Sequence, residues 1–169
     1  MRLRRYRTED LPILARLFGE TVRQVNCRDY TLPQVEAWAA GEADLLTRDS
    51  WFQRLYTLVA EAGGRIVGYG NVEDTGYLDH LFVRWDCQGQ GIGTALYRAL
   101  LPRLEAQGLV NLYAVLALPN PGSEALHRRF GFTRLGLYPQ MGFKLGAWHD
   151  VAQYGLRLRP ADWCPPDAG

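Results

Sequence analysis

A glycine-rich turn between a predicted strand and a predicted helix constrains this chain more than any other feature of its sequence. The turn, Gln88-Gly89-Gln90-Gly91-Ile92-Gly93, joins the strand-like run Tyr77 to Val83 to the amphipathic stretch Ile92 to Ala106. Glycines let a backbone approach a ligand closely because they carry no Cβ. A helix N-terminus adds unpaired N–H groups and a positive dipole end, which suit a diphosphate. The turn therefore predicts a pyrophosphate cradle, with a ligand-free surface turn as the alternative.

The spacing of the turn excludes two other phosphate-binding motifs. An NTPase phosphate loop needs Gly-x-x-x-x-Gly-Lys-Ser/Thr, and the turn contains no Lys. A dinucleotide fingerprint needs Gly-x-Gly-x-x-Gly, but Thr94 or Leu96 stands where its last glycine belongs. The pattern that remains is Gln-x-x-Gly-x-Gly, beginning at Gln88.

Composition and charge are those of one globular domain. The 169 residues are 47% apolar and 22% charged, and no apolar run is long enough to span a membrane. No secretory signal follows the basic segment Met1 to Arg5, so the predicted location is the cytoplasm. Cys27, Cys87 and Cys164 lie far apart without metal-ligand spacing and predict reduced thiols. A formal charge of +1 gives no electrostatic case for nucleic acid.

Hydrophobic periodicity predicts an α/β domain with a mixed, largely antiparallel sheet flanked by helices. The predicted strands are Leu3 to Arg7, Tyr56 to Ala60, Arg65 to Val72, Tyr77 to Val83, Leu109 to Leu118, Phe132 to Tyr138 and His149 to Leu158. The predicted helices are Leu11 to Phe18, Thr31 to Ala39, Asp44 to Leu55, Ile92 to Ala106 and Ser123 to Phe130. We expect one domain over residues 1–158, followed by a proline-containing tail over 159–169.

The turn and its surroundings resemble the GNAT family of N-acetyltransferases. The matching residues are Leu81 to Leu96, Asn120, and Arg129 to Phe132, at the family's spacing. The order of elements also agrees from about Arg2 to Leu158. The resemblance implies a GNAT-like domain that binds acetyl-CoA and transfers its acetyl group to a primary amine. No metal is predicted, because no histidine and cysteine spacing supports a site.

The resemblance also implies which residues contact coenzyme A. In GNAT proteins the pantetheine arm lies beside the strand before the turn and hydrogen-bonds its backbone, a form of strand addition. This assigns Leu81, Phe82 and Val83 to the pantetheine. Asn120 matches an Asn that commonly binds the pantetheine, and a helix cap is its alternative role. The residues assigned to the pyrophosphate are Gln88, Gly89, Gln90, Gly91, Ile92, Gly93 and Thr94.

Acetyl transfer also needs a base, because the amine must lose a proton before it attacks. The first candidate is Asp79, which lies where several family members place a base and by alternation shares a face with Tyr77 and Leu81. His80 is the rival, although alternation turns it to the opposite face, and Glu73 is a third candidate. An ordinary strand-end carboxylate and a packed histidine are the alternatives for Asp79 and His80.

An acid can protonate the thiolate that leaves. The family often has a Tyr for this role, seven residues after the Asn that Asn120 matches. In this chain that position holds His127. A histidine could protonate the thiolate or steer the cofactor sulfur. The alternative is a histidine on the helix surface beside Arg128 and Arg129.

The acceptor is less constrained than the donor. The segment Gly142 to Val151 resembles the closing segment of phosphinothricin-type amino-acid N-acetyltransferases, whereas Tyr30 to Trp38 resembles another bacterial GNAT branch. A small-molecule amine is preferred over a protein lysine. Arg28 is a candidate for binding a carboxylate, and aromatic side chains are candidates for the pocket wall. The predicted acceptor residues are Arg28, Tyr30, Tyr77, Tyr138 and Trp148.

Other functions on the same fold remain open at this point. They are acetylation of a protein or peptide amine, non-catalytic binding of acyl-CoA, and acetylation of charged tRNA. The near-neutral charge argues against tRNA, although four arginines at the N-terminus could form a local basic patch. The predicted partners are therefore a small-molecule amine and, for assembly, a second copy of the chain as a homodimer. Neither a membrane nor a nucleic acid is a predicted partner.

Overall fold

Seven strands form two antiparallel sheets in the part of the chain that the structure describes. The computed structural model describes residues 1–144, 147–160 and 162–163. The strands are β1 (Arg2–Arg5), β2 (Tyr56–Ala62), β3 (Arg65–Val72), β4 (Leu78–Val83), β5 (Asn111–Ala117), β6 (Thr133–Lys144) and β7 (Ala147–Arg157). One sheet has the order β1-β2-β3-β4 and the other the order β5-β7-β6. Neighbouring strands within each sheet run antiparallel.

Six α-helices over these residues flank the two sheets. They are α1 (Leu11–Val25), α2 (Leu32–Ala39), α3 (Gly41–Leu45), α4 (Asp49–Arg54), α5 (Ile92–Ala106) and α6 (Pro121–Arg129). Helix α5 buries Leu96, Leu100 and Leu104 at helical spacing in a core cluster that includes residues of both sheets. Helices α1 to α4 pack with Val59 and Tyr69 in a second cluster on the opposite face. None of these helices is long and apolar enough to cross a membrane.

The two sheets meet at one point in the described residues and then separate. A parallel bridge joins Tyr77 to Tyr113, and the Tyr113 N–H donates to the Gly76 carbonyl at 2.9 Å. Beyond this bridge β4 and β5 form no further pairs within the described chain, so a wedge opens between them. The predicted α/β fold with largely antiparallel strands is confirmed, although two linked sheets replace the single mixed sheet.

The predicted bounds agree with the structure where the hydrophobic pattern is regular. Strand β3 and helix α5 begin and end at the predicted residues. The hairpin between β2 and β3 turns at Gly63 and Gly64, both with positive φ. The glycine pair fixes the start of β3, which is buried from Ile66 to Val72, and a long apolar stripe marks α5.

The prediction of a single helix over Asp44 to Leu55 is wrong. Helix α3 ends at Leu45 and α4 begins only at Asp49. Between them the Thr47 hydroxyl and N–H both donate to the Asp44 carbonyl, at 2.7 and 3.1 Å. A threonine side chain that bonds to nearby backbone competes with continuation of a helix, and here this bond ends α3.

The last two strands are longer than predicted. The sequence predicts that β6 ends at Tyr138, but it continues to Lys144, and β7 begins two residues before the predicted His149. The register of the pair shifts between Tyr138 and Gly142, and Gln140 has a positive φ of 48°. Irregularities of this kind break the period-two pattern by which a sequence reveals a strand.

Part of the predicted tail lies on the body of the protein. The Arg159 guanidinium donates to the Glu105 carbonyl at 2.6 Å and lies 5.4 Å from the centre of the Trp163 ring. Leu145 and Gly146, within the segment that resembles amino-acid acetyltransferases, lie outside the described residues, as do Ala161 and residues 164–169 with Cys164. The boundary at residue 158 stays a prediction.

Candidate active site

A cleft of about 600 Å³ occupies the wedge between β4 and β5. Its volume falls in the range of roughly 300–1,000 Å³ that is usual for small-molecule sites. Strands β4 and β5 form opposite walls, and the N-terminus of α5, helix α6 and the α1–α2 region complete it. The lining consists of residues 77–83, 87–89, 91–94, 114–117, Phe18, Thr21, Val25, Asn26, Trp38, Asn120, Gly122, Ser123, Leu126, His127 and Arg129.

The glycine-rich turn brings the N-terminus of α5 to this cleft. Gly89 and Gly91 have φ of 74° and 79°, a left-handed conformation that residues with a Cβ rarely adopt. A Cβ at either position would meet no atom within 4 Å, so the space beside the turn is open. No side chain caps α5, which leaves its first N–H groups available to an anion. All residues predicted for the pyrophosphate line the cleft except Gln90, which is exposed.

Strand β4 presents a free edge to an extended ligand. Strand β3 pairs with one edge, and beyond Tyr77 the other edge has no strand partner among the described residues. Leu81, Phe82 and Val83, the residues predicted for the pantetheine, line the cleft along this edge. Free N–H and C=O groups on such an edge suit strand addition.

Asn120 is a helix cap that also lies at the cleft, and its contact with the pantetheine stays a prediction. Its Oδ1 accepts the Ser123 N–H at 3.3 Å and so caps α6. The same side chain belongs to the lining of the cleft. The cap fixes the amide group at the cleft wall, where it can contact a ligand.

A β-bulge in β4 changes which of its side chains share a face of the sheet. The register shifts so that Asp79 and His80 of β4 together oppose Asn71 of β3. Leu78 and Leu81, three residues apart, consequently pack in the same core cluster against α5. Strict alternation, which would separate Asp79 from His80 by the thickness of the sheet, is therefore wrong for this strand. Both side chains line the cleft.

Asp79 is a half-buried carboxylate in the cleft wall. Burial raises its pKa above the ordinary value, the negative charge of Glu73 raises it further, and the Arg48 guanidinium lowers it in part. Burial also raises the pKa of Tyr77 in the same lining, and the Asp79 charge adds to that effect. A carboxylate with a raised pKa accepts a proton from an amine more readily than a surface aspartate does.

His80 is held by both its backbone and its ring. Its N–H donates to Asn71 Oδ1 at 2.8 Å, and its Nδ1 lies 3.1 Å from the Tyr69 hydroxyl. Its ring stacks on Phe18 with centroids 6.2 Å apart. These contacts fit the packed-histidine alternative better than a mobile base. The third candidate base, Glu73, lies outside the cleft lining.

His127 is buried, with 4% of its surface exposed, so the surface-histidine alternative is wrong. Its Nδ1 lies 2.7 Å from the Ser123 carbonyl, which can only accept, so Nδ1 carries the proton. Nε2 is buried without a hydrogen-bond partner among the described residues. Burial lowers the pKa of the ring, and the bond to Ser123 offsets this in part. The ring is thus neutral near pH 7. It packs edge-on against Phe132 with centroids 5.0 Å apart, and its Nε2 is an acceptor enclosed by protein.

Two of the five residues predicted to contact the acceptor are placed at or behind the lining. Tyr77 belongs to the lining itself. Tyr30 lies one layer behind it, because its hydroxyl donates to the Pro119 carbonyl at 2.9 Å. Its ring packs edge-on against Trp38, a lining residue, with centroids 5.6 Å apart. Tyr30 therefore supports the Trp38 part of the cleft lining from outside.

The other three predicted acceptor residues are exposed and lie outside the lining. They are Arg28, Tyr138 and Trp148. Arg28 ends a short 3₁₀ turn after α1, and the Tyr138 hydroxyl donates to Gln153 Oε1 on the neighbouring strand at 3.0 Å. The conformation of the turn sets where the Arg28 side chain points, and the register of the strands does so for Tyr138 and Trp148. The aromatic content of a segment does not reveal these directions.

The family model described as the acetyltransferase (GNAT) family matches residues 20–132 of this chain. The chain belongs to the GNAT acetyltransferase family. An L-methionine sulfoximine/L-methionine sulfone acetyltransferase from Pseudomonas paraeruginosa is 33% identical to it over 170 residues, which cover 92% of the chain and 94% of the relative. The predicted enzyme class, an N-acetyltransferase, is confirmed.

Solved structures agree with the GNAT assignment. A GCN5-related N-acetyltransferase from Rhodopseudomonas palustris has a TM-score of 0.82 at 25% identity, covering 93% of this chain and 95% of its own. A GNAT superfamily phosphinothricin acetyltransferase from Sinorhizobium meliloti, in complex with AcCoA, has a TM-score of 0.77 at 27% identity. That match covers 99% of this chain and 94% of the relative. Acetyl-CoA, the predicted acyl donor, is thus the ligand of a homologous GNAT structure.

Sequence reasoning missed several polar residues that the GNAT fold brings to the cleft. The Thr21 hydroxyl donates to the Val83 carbonyl at 3.4 Å, and Asn26 follows from the end of α1. Arg129, next to the matched Phe130-Gly131-Phe132, adds a positive charge to the lining. Isolated polar residues on amphipathic helices resemble solvated surface positions, so only the position of Arg129 beside the family motif gave a signal.

Within the described chain, no three His, Cys, Asp or Glu side chains stand close enough together to hold a metal ion. Cys87 lines the cleft as a buried thiol whose Sγ lies 3.4 Å from Asp86 Oδ1. Cys27 is exposed.

Proposed function

We propose that this protein transfers the acetyl group of acetyl-CoA to the amine of a small amino acid or amino-acid analogue, of the methionine sulfoximine or phosphinothricin kind. One observation carries the proposal. A single cleft has a free strand edge and an uncapped helix N-terminus for the donor, and a half-buried carboxylate for the acceptor amine. The names of the relatives support the acceptor class.

Donor binding uses backbone groups along most of its length. The pantetheine arm extends the sheet beside Leu81 to Val83, and the pyrophosphate accepts from the first N–H groups of α5. Arg129, the last residue of α6 and part of the lining, supplies a positive charge for a phosphate. The thioester then lies between β4 and β5, within the part of the wedge that Asp79 and His127 line.

Asp79 takes the amine proton, directly or through water. The free amine attacks the thioester carbonyl and the N–C bond forms. The nitrogen then loses its second proton to water, and the C–S bond breaks as the tetrahedral intermediate collapses to the amide. The coenzyme leaves as a thiolate and takes up a proton to become the free thiol. Because burial raises the pKa of Asp79, the carboxyl binds the amine proton more strongly than a surface aspartate and can return it.

His127 acts as a hydrogen-bond acceptor rather than as the acid. Its Nδ1 proton is committed to the Ser123 carbonyl, and its Nε2 lone pair is buried at the cleft. A donor on the pantetheine arm, such as an amide N–H or the thiol of the product, satisfies that lone pair. His127 therefore steers the sulfur end of the coenzyme.

An assay of thiol release from acetyl-CoA tests the proposed function. The acceptor panel consists of methionine sulfoximine, phosphinothricin, the common amino acids, polyamines, lysine peptides and aminoacyl-tRNA. We expect the highest kcat/KM on one of the first two or on a related amino acid. Turnover confined to peptides or to aminoacyl-tRNA would contradict the acceptor class. Tight binding of acetyl-CoA without turnover on any acceptor would instead indicate a non-catalytic binding module.

The homodimer and the cytoplasmic location stay predictions. Sedimentation equilibrium of the purified chain distinguishes one copy from two.

A further inference from the structure

Asn71 lies directly opposite the β-bulge that carries Asp79 and His80. It is fully buried, with 0% of its surface exposed. Its Oδ1 accepts the His80 N–H at 2.8 Å. A bulge takes backbone groups out of the strand ladder, and a buried amide without a partner is unfavourable. The Asn71 side chain therefore replaces the ladder acceptor that the bulge removes.

The other half of the Asn71 amide is not satisfied. Its Nδ2 is buried and has no hydrogen-bond partner among the described residues. An unpaired buried donor is unfavourable, and an apolar residue would fit an internal strand better. Departures from local rules of this kind concentrate at functional sites. The only hydrogen bond that explains an asparagine here, among those of the described chain, is the one to the bulge.

The neighbour of Asn71 on the other side shows what a purely structural polar residue looks like. Thr57 of β2 pairs with Asn71 and is equally buried. Its hydroxyl donates to the Phe52 carbonyl at 2.8 Å and so ties β2 to α4. Thr57 lies on β2 and its hydroxyl bonds no residue of the bulge, although the Phe52 ring lies 6.4 Å from the His80 ring. Thr57 is therefore a matched control for burial and polarity without a hydrogen bond to the bulge.

We propose that Asn71 is a positioning residue for acetyl transfer, because it holds the bulge that sets the directions of the Asp79 and His80 side chains at the cleft. This inference rests on the proposed function, in which Asp79 receives the amine proton. Without the bulge, strict alternation returns and these two adjacent side chains point to opposite faces of the sheet. Asn71 touches neither substrate, and its effect passes through the backbone of His80.

The charged and titratable groups around Asp79 determine how a substitution at Asn71 can change the pH profile of the enzyme. The groups around the carboxyl are Tyr69 on β3, Glu73 just after β3, Tyr77 and His80 on the β4 side, and Arg48 between α3 and α4. Asn71 adds no charge to this set. An Asp at position 71 keeps an oxygen for the His80 N–H but adds a carboxyl that disfavours ionisation of Asp79.

The test compares Asn71→Ala, Asn71→Asp and Thr57→Val. The Ala variant should raise the hydrogen-exchange rate of the His80 amide at least about tenfold, because that amide loses its acceptor. It should lower kcat about 100-fold, as a displacement of about 1 Å at a catalytic group does, with the acetyl-CoA Kd unchanged. The Asp variant should restore His80 protection and most of kcat at high pH, with its acidic limb shifted to higher pH. Thr57→Val should lower Tm without changing either readout.

Three results would overturn the inference. The first is wild-type His80 exchange and wild-type kcat in Asn71→Ala. The second is an Asn71→Ala variant whose kcat, acetyl-CoA affinity and Tm fall together as in Thr57→Val, which indicates general destabilisation. The third is an Asp variant whose pH profile matches the wild type. Failure of the proposed function is measured separately. An unchanged pH profile in Asp79→Asn would show that Asp79 is not the base. Hydrogen exchange of the His80 amide would still show whether Asn71 holds the bulge.

Discussion

Asp79 and His127 line the same cleft, and burial acts on both by disfavouring the charged form. This raises the pKa of the carboxyl and lowers the pKa of the imidazole. Both groups are therefore acceptors. The Asp79 carboxylate binds a proton more strongly than an ordinary carboxylate does, and the neutral His127 ring has an unpaired Nε2 among the described residues. In the ground state neither supplies the proton that the leaving thiolate takes up. The proton that Asp79 removes from the amine is the one available to return.

Replacing Asp79 by Asn should remove the acidic limb of the kcat/KM pH profile. Only the ionised carboxyl is a base, so wild-type activity should fall as the pH drops through the raised pKa, at higher pH than for an ordinary aspartate. At neutral pH the variant should lose about 100-fold in kcat. Its acetyl-CoA Kd, measured by calorimetry, should stay constant. Asp74→Asn, at an exposed turn, is the control, and a wild-type profile in Asp79→Asn would remove this residue from the mechanism.

Replacing His127 by Phe tests whether the ring is an acceptor or an acid. We expect kcat/KM to fall about tenfold, the value of one good hydrogen bond, with the shape of the basic limb retained. An acid would need the protonated ring, whose population falls as pH rises through a pKa already below its ordinary value. His127→Gln, which keeps an acceptor, should recover part of the activity. Loss of a basic limb in both variants would show instead that a protonated His127 takes part.

At the scale of elements, α5 links binding of the donor to the stability of the core. Its N-terminus opens on the cleft, while Leu96, Leu100 and Leu104 are buried further along. The packing of these leucines therefore fixes the direction of the N–H groups that face the pyrophosphate. The left-handed residue Gly91 makes the sharp change from the turn into the helix.

Gly91→Glu should weaken binding of acetyl-CoA at least about 100-fold, because it places a side chain and a negative charge where the diphosphate lies. Gly64→Glu is the matched control. Gly64 has a similar φ of 71°, and a Cβ there also meets no atom within 4 Å, but it lies in the β2–β3 hairpin. Both variants should lose stability through backbone strain of about 1–3 kcal/mol, and only Gly91→Glu should lose binding in calorimetry. Equal affinities for the two variants would refute the cradle.

At the scale of the whole molecule, a buried ionic network ties the first strand to the body. Arg4 of β1 forms two hydrogen bonds to Asp10, at 2.6 and 2.7 Å, and one to Glu61 of β2 at 2.7 Å. Asp10 is 3% exposed and also accepts the Arg7 N–H at 2.8 Å. Burial alone would raise the pKa of Asp10, but the bonds from Arg4 and Arg7 outweigh it and hold the pKa below the ordinary value.

Asp10→Asn should destabilise the protein by about 3 kcal/mol at pH 7, because it leaves the Arg4 charge partly unpaired. For a chain of this length that corresponds to a fall in Tm of roughly 6–12 °C. A lowered folded-state pKa means that the stabilisation is present above the unfolded pKa and is lost as pH falls through the folded pKa. The difference in Tm between the two proteins should therefore shrink in acid. Glu9→Gln, at an exposed neighbour, should show no such difference; a pH-independent gap for Asp10→Asn would contradict the network.

Much of the fold could be predicted because its central elements have regular local patterns. Strand β3 follows a glycine-pair turn and is buried from Ile66 to Val72, and α5 carries one apolar stripe from end to end. Prediction failed where a hydrogen bond or a bulge interrupts such a pattern. Thr47 ends α3, and the register shift after Tyr138 hides the second half of β6. These interruptions depend on single contacts that composition and periodicity do not encode.

The sequence alone determined the glycine-rich turn that we assign to the donor, because a turn before a helix acts through backbone N–H groups and needs only local geometry. Tertiary structure decided how the side chains that we assign to catalysis are placed. The bulge opposite Asn71 placed Asp79 and His80 together, and packing of α6 buried His127 and fixed its tautomer. Strand pairing and packing between distant segments set which side chains face a cleft, and a one-residue shift reverses that choice. For this reason the sequence predicted the glycine-rich turn, but it did not predict that Asp79 and His80 of β4 lie together opposite Asn71.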